Sequence, residues 1–151
     1  MKTVKSILLL SLLMIIFLNV LAQKNVSTLH SYFDKSPNSI QLSTKNLDNL
    51  LALTSGTKSI ITLDKNFSQE GIVIANQMKY ENLQSVLIKF GSLDNTLLQL
   101  SKITLADNSV KYVGRIINNN ATDGYELKKE NENNYAFKKI EMKNVLQDCS
   151  Y

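Results

Sequence analysis

The stretch that decides the fold is residues 96–117, TLLQLSKITLADNSVKYVGRII. Apolar and polar side chains alternate on both sides of Ala106-Asp107-Asn108-Ser109, and a period of two is typical of a β-strand with one buried face. Asp and Asn tolerate the left-handed backbone conformation that a tight turn requires. The stretch therefore predicts an antiparallel hairpin with this tetrapeptide at its tip.

Further short runs of β-branched and aromatic residues, separated by clusters of Asn, Asp, Gly and Ser, extend the pattern along the chain. The seven predicted strands are 58–63, 71–79, 84–90, 96–105, 110–117, 125–129 and 134–142. A second hairpin is predicted to turn through Glu130-Asn131-Glu132-Asn133, because these residues favour turns. The fold class is therefore mainly β with one short helix (α+β).

Two features indicate that the sheet curves. Gly114 lies inside a predicted strand, where a glycine marks a bend or a close approach of another backbone. In the last strand the apolar phase slips from Tyr135 and Phe137 to Ile140 and Met142, which predicts a β-bulge between them. We expect a curved antiparallel sheet, or a small partly open barrel, of six or seven strands.

One helix is predicted over 44–54, because leucines recur at helical spacing after the capping oxygens of Ser43 and Thr44. Its leucine stripe is expected to cover the domain's own sheet. Residues 23–42 are polar, with a turn signal at Pro37-Asn38-Ser39, and predict an extended lead-in. The expected organisation is a signal peptide over 1–22, the lead-in over 23–42 and one β-rich domain over 43–151.

The cellular address is predicted from residues 1–22. Lys2 and Lys5 precede an apolar run over 7–22, which is the pattern of a secretory signal peptide, and Val20-Leu21-Ala22 predicts cleavage after Ala22. An uncleaved anchor is the alternative, but spanning a bilayer takes about 20 apolar residues. We expect a secreted, periplasmic or cell-surface protein with no membrane span after cleavage.

The single cysteine, Cys149, excludes a disulfide within the chain. Several cysteines in an exported protein of this size would indicate a disulfide framework. Cys149 is either a thiol without a role, a free reactive thiol or one half of an intermolecular disulfide.

The residues form no recognisable catalytic or cofactor site. His30 is the single histidine and lies in the lead-in, whereas a metal centre or a Ser-His-Asp triad needs several ligands or a histidine held by a scaffold. The five glycines form no phosphate-binding loop. We predict no metal and no other cofactor. A carboxylate pair is the enzymatic arrangement that stays open; its candidates are Asp64, Glu70, Glu81, Asp94, Asp107, Asp123 and Glu126.

Basic residues among aromatic ones form the most suggestive surface feature. The candidate partner contacts are Arg115, Lys128, Lys129, Lys138 and Lys139. Such a surface can bind polyanions, but lysine on edge strands is also a common protection against aggregation. Without residues 1–22 the chain has 15 basic and 13 acidic residues, so nucleic acid is not an expected partner.

Three hypotheses follow. The first is a non-enzymatic binding or interaction domain that meets a protein or a small ligand outside the cytoplasm. The second is a carrier of small apolar ligands with a cavity under the curved sheet. The third is a hydrolase with a carboxylate pair. The oligomeric state stays open.

Overall fold

The computed structural model describes residues 30–142 of the 151-residue chain. Over these residues the backbone forms eight strands and one helix. They are β1 (Ser39–Ser43), α1 (Thr44–Leu51), β2 (Lys58–Asp64), β3 (Phe67–Tyr80), β4 (Leu83–Phe90), β5 (Thr96–Thr104), β6 (Val110–Asn118), β7 (Asp123–Lys129) and β8 (Asn134–Glu141). Both predicted hairpins are confirmed: one joins β5 to β6, where Asn108 has a φ of 64°, and the other joins β7 to β8.

The strands form an antiparallel sheet in the order β1-β8-β7-β6-β5-β4-β3-β2. β1 pairs with β8 and only approaches β2, so the sheet is nearly closed as a barrel. The expected mainly β fold with one short helix is confirmed. The expected number of six or seven strands is wrong, because β1 is an eighth strand at the end of the segment that the sequence indicated as an extended lead-in.

The helix α1 lies at the end of the barrel where the β5–β6 and β7–β8 hairpins turn. Ser43 caps it: its Oγ accepts a hydrogen bond from the N–H of Asn46, and the Asn46 side chain accepts from the N–H of Ser43. Asn76 and Gln84 donate side-chain hydrogen bonds to the carbonyl of Leu51. Carbonyls of the last turn have no partner inside a helix, and these side chains supply one. The contacts account for the end of α1 at Leu51, three residues before the predicted end at residue 54.

The core fills the barrel. Leu47, Leu50 and Leu51 of α1 are buried, which confirms that the leucine stripe covers the domain's own sheet. Each buried side chain of this size contributes about 1.5–3 kcal/mol relative to exposure. The largest fully buried side chains from the lead-in and the strands are Tyr125, Tyr135, Phe33, Phe90 and Phe137.

The β-bulge predicted in the last strand is wrong. β8 keeps one register with β7 along its whole length, so Lys139 stays on the inward face that Phe137 occupies. There its ammonium donates hydrogen bonds to the carbonyls of Phe33 and Ser36 at 2.7 and 2.9 Å. A charged side chain thus takes an inward position because main-chain oxygens of the lead-in meet it.

Gly114 confirms the close approach predicted for it. A Cβ at this position would lie 2.9 Å from the carbonyl oxygen of Gln99 on β5 and 3.3 Å from the Leu100 side chain. The missing side chain therefore lets β6 lie tightly against its neighbours at this point.

Candidate binding groove

β6 and β7 pair over only part of their length. Their ladder runs from Arg115↔Glu126 to Ile117↔Gly124, whereas the ladders of β6 with β5 and of β7 with β8 continue to the hairpin ends. The two strands therefore part beyond Arg115 and Glu126. The result is an opening in the barrel wall, at the end of the barrel that holds α1.

Main-chain groups of both strands point into this opening. In an antiparallel pair, the N–H and C=O of alternate residues face the same neighbour. The N–H of Glu130 donates to the carbonyl of Asn134, so even-numbered residues of β7 face β8 and the main chain of Lys129 faces β6. At the β5–β6 hairpin the N–H of Leu105 donates to the carbonyl of Ser109. Odd-numbered residues of β6 therefore face β5, and the main chain of Tyr112 faces β7.

A groove, which we call the β6–β7 groove, follows the opening. It consists of a cleft of about 350 Å³ beside Arg115 and a cleft of about 510 Å³ beside Lys129. Val113, Glu126 and Leu127 line both clefts, so the two are continuous. The other apolar and aromatic lining residues are Leu105, Val110, Tyr112 and Tyr135.

Positive charge dominates the groove. Arg115 Nη2 lies 3.2 Å from Glu126 Oε1, and Lys128 contacts the other oxygen of the same carboxylate. The hydrogen bond from Lys128, and then that from Arg115, lower the pKa of Glu126 although partial burial acts against them. Lys111 and Lys129 add two exposed ammonium groups to the lining. Arg115 and Lys128 thus share the carboxylate of Glu126, and Lys111 and Lys129 add two further positive charges to the lining.

The inner side of the groove is fixed to α1 through Tyr112. The Tyr112 hydroxyl donates a 2.8 Å hydrogen bond to Asp48 of the helix, which also accepts one from Lys102 at 2.8 Å. Burial, followed by the Asp48 contact, raises the pKa of Tyr112. The Tyr112 ring meets that of Tyr135 edge to face at 5.4 Å, so both tyrosines are held in place.

Three of the five candidate partner contacts border the groove: Arg115, Lys128 and Lys129. The other two do not line it. Lys138 lies 2.6 Å from Glu130 in an ion pair, and Lys139 holds the lead-in as described above. Cys149 lies outside the described residues, as do the predicted signal peptide and its cleavage site.

Sequence reasoning did not identify Lys111, Tyr112 and Val113 as groove residues. The ring of Tyr112 is buried, and alternation of apolar and polar residues carries no information on where two strands part. Gly114 was the available signal, because it lies at the point where the ladder between β6 and β7 ends.

A second polar cluster, on the lead-in, also escaped prediction. The buried carboxylate of Asp123 accepts hydrogen bonds from the N–H groups of Tyr32 and Phe33 and from the hydroxyl of Ser31. His30 directly precedes Ser31 in the chain, and the carbonyl of His30 accepts a hydrogen bond from the N–H of Thr122. These contacts attach the lead-in to the barrel and are structural in character.

Several candidate carboxylates serve turns or ion pairs. Asp64 accepts from the N–H of Asn66, and Asp107 accepts from the N–H and hydroxyl of Ser109. Within residues 30–142, no three His, Cys, Asp or Glu side chains are grouped so that they could hold a metal ion. In the same part of the chain, no helix has the length and apolar character needed to cross a membrane.

Comparison of the chain with protein-family models, with curated proteins and with solved structures gives no match in any of the three.

Proposed function

We propose that this chain is an exported, non-enzymatic binding domain that meets its partner outside the cytoplasm through the β6–β7 groove. One observation carries the proposal: β6 and β7 part where exposed lysines, apolar side chains and main-chain groups come together. A concave surface with apolar walls and a few polar groups is the usual form of a binding site.

The packing of the barrel supports a surface site over an enclosed one. Leu98, Leu100, Ile116 and Phe137 are fully buried in the core, so side chains take the space that an apolar cargo would need. The groove reaches the outer face, where a larger partner has access.

A pair of matched variants tests the site. Lys111→Glu/Lys129→Glu reverses two exposed charges of the groove, and Lys58→Glu/Lys89→Glu makes the same change at exposed positions of β2 and β4. Each variant and the parent chain are purified from the extracytoplasmic fraction, and the species that co-purify are identified by mass spectrometry. We expect the first variant to lose a species that the parent and the control retain. The proposal is wrong if both variants retain the same species as the parent.

The N-terminus of the same sample tests the address. Mass spectrometry of the N-terminal peptide of the purified parent is expected to show a chain that begins at Gln23. A sequence that begins at Met1 would contradict export by a cleaved signal peptide.

A further inference from the structure

We infer that the β6–β7 groove binds an extended, acidic segment of a partner protein as an added β-strand. The inference rests on the proposed function and specifies the chemistry of the partner. Main-chain bonding, face alternation and charge each contribute to it.

The main chain at the opening suits an added strand. Beyond the ladder, three register positions of the two strands are not paired with each other: Gly114 opposite Leu127, Val113 opposite Lys128 and Tyr112 opposite Lys129. The alternation derived above directs the N–H and C=O of Tyr112 and of Lys129 into the opening. An extended peptide laid along it can bond to these groups, which is the mode in which sheet edges bind peptides.

The two faces of the opening differ in chemistry. Tyr112 and Leu127 are buried and lie on the inner side of their strands, whereas Lys111, Arg115 and Lys128 alternate with them and lie on the outer side. The side chains of an added strand also alternate. Such a strand therefore places every second residue against apolar side chains and the residues between them against cations.

Charge defines what those intervening residues are. Glu126 is the acidic residue of the lining, and Arg115 and Lys128 already pair with it. Lys111 lies on the outer side of β6, and Lys129 follows Leu127 on the inner side but is exposed at the end of β7. Both ammonium groups favour an acidic strand and oppose a basic one, because like charges across a strand pair are destabilising. The expected ligand alternates acidic and apolar residues over about five positions, the length of β6 from Val110 to Gly114.

The test uses a defined peptide, N-acetyl-Glu-Val-Glu-Val-Glu-Val-Glu-amide with a fluorescent label. Its affinity for the protein purified from the extracytoplasmic fraction is measured by fluorescence anisotropy at low salt. Three further peptides serve as comparisons: one with Lys in place of Glu, and two phased versions in which alternate amides are N-methylated. N-methylation removes a main-chain donor and leaves the side chains unchanged. Decanoate, a small anion with an apolar chain, is tested as a competitor of the acidic peptide.

We expect the acidic peptide to bind, and the Lys peptide to bind at least tenfold more weakly. At least one of the two N-methylated phases is expected to lose at least tenfold in affinity, because amides that face Tyr112 on β6 or Lys129 on β7 can no longer donate to their carbonyls. Lys111→Glu/Lys129→Glu should weaken binding at least tenfold and Lys58→Glu/Lys89→Glu less than twofold. Amide signals of Tyr112 and Lys129 should shift in nuclear magnetic resonance spectra of the complex.

Three results would overturn the inference: no binding of the acidic peptide, equal binding of both N-methylated phases and the unmodified peptide, or displacement by decanoate with no response to N-methylation. If any of these occurs while the groove variant still loses its co-purifying species, the groove is a binding site for another ligand class. If the variant also retains that species, the proposed function fails as well.

Discussion

Asp123 provides the strongest test of how the lead-in is held. The residue is 5% exposed, and its carboxylate accepts hydrogen bonds from Ser31 Oγ at 2.5 Å, from Tyr32 N at 2.7 Å and from Phe33 N at 3.0 Å. Asp123→Ala removes the common acceptor of all three donors. The lead-in then loses the polar attachment that these three donors provide.

The expected cost follows from these contacts. A hydrogen bond to a charged group contributes about 1.5–3 kcal/mol, and a buried donor without a partner costs about 1–3 kcal/mol. The N–H of Phe33 is buried, whereas the hydroxyl of Ser31 and the N–H of Tyr32 belong to exposed residues and can bond to water. Losses in one cluster are not additive, so we expect Asp123→Ala to lower the free energy of unfolding by about 2–4 kcal/mol.

Urea denaturation measures this change, with Asp94→Ala as the control. Asp94 is exposed in the turn before β5, and its replacement is expected to change the free energy of unfolding by less than about 0.5 kcal/mol. Asp123→Asn, which keeps one oxygen acceptor, should fall between the two. If Asp123→Ala stays within about 0.5 kcal/mol of the parent, the Asp123 contacts do not hold the lead-in.

Two further predictions concern the groove wall and its attachment to α1. Gly114→Ala places a Cβ 2.9 Å from a carbonyl oxygen of β5 and should lower the free energy of unfolding by about 1–3 kcal/mol in urea denaturation. Gly91→Ala, whose Cβ would have its nearest neighbour at 3.7 Å, serves as the control. Equal effects of the two substitutions would contradict the close approach at Gly114. Burial acts to raise the pKa of Asp48, but the hydrogen bonds from Lys102 and Tyr112 outweigh it and hold that pKa below its usual range. Its stabilising contribution is therefore present above the unfolded-state value of about 3.9 and is lost as the pH falls through the lower folded-state value. Asp48→Asn should flatten the dependence of the urea midpoint on pH between about 5 and 3, and an unchanged slope would contradict this role.

Most of the strands could be predicted because alternation and turn residues, which specify them, are patterns of neighbouring residues in the sequence. Alternation and turn residues place β5, β6 and the hairpin between them, and the structure agrees with the predicted limits to within a residue. β1 was missed because Ser39–Ser43 is a five-residue strand directly after the turn signal at Pro37. Its identity as a strand depends on pairing with β8, nearly 100 residues away in the chain.

The candidate site depended on contacts between distant residues and was therefore only partly predictable. Charge and aromatic content indicated Arg115 and Lys128, which do border the groove. The same reasoning included Lys139, whose ammonium meets carbonyls of the lead-in. No sequence pattern tells these two situations apart, because the difference is set by which segment packs against each lysine.

The opening between β6 and β7 is an exception to the way barrels normally treat their edges. Closing a sheet removes unpaired main-chain groups and with them the risk of pairing with other chains. Here the ladder stops while both strands continue, although further pairing would add hydrogen bonds. Lys111, Lys128 and Lys129 stand beside the exposed edges and disfavour indiscriminate pairing with neutral or basic strands. An open edge that carries one sign of charge admits a narrow class of partners, and this combination is why we propose recognition, rather than imperfect closure, as the role of the groove.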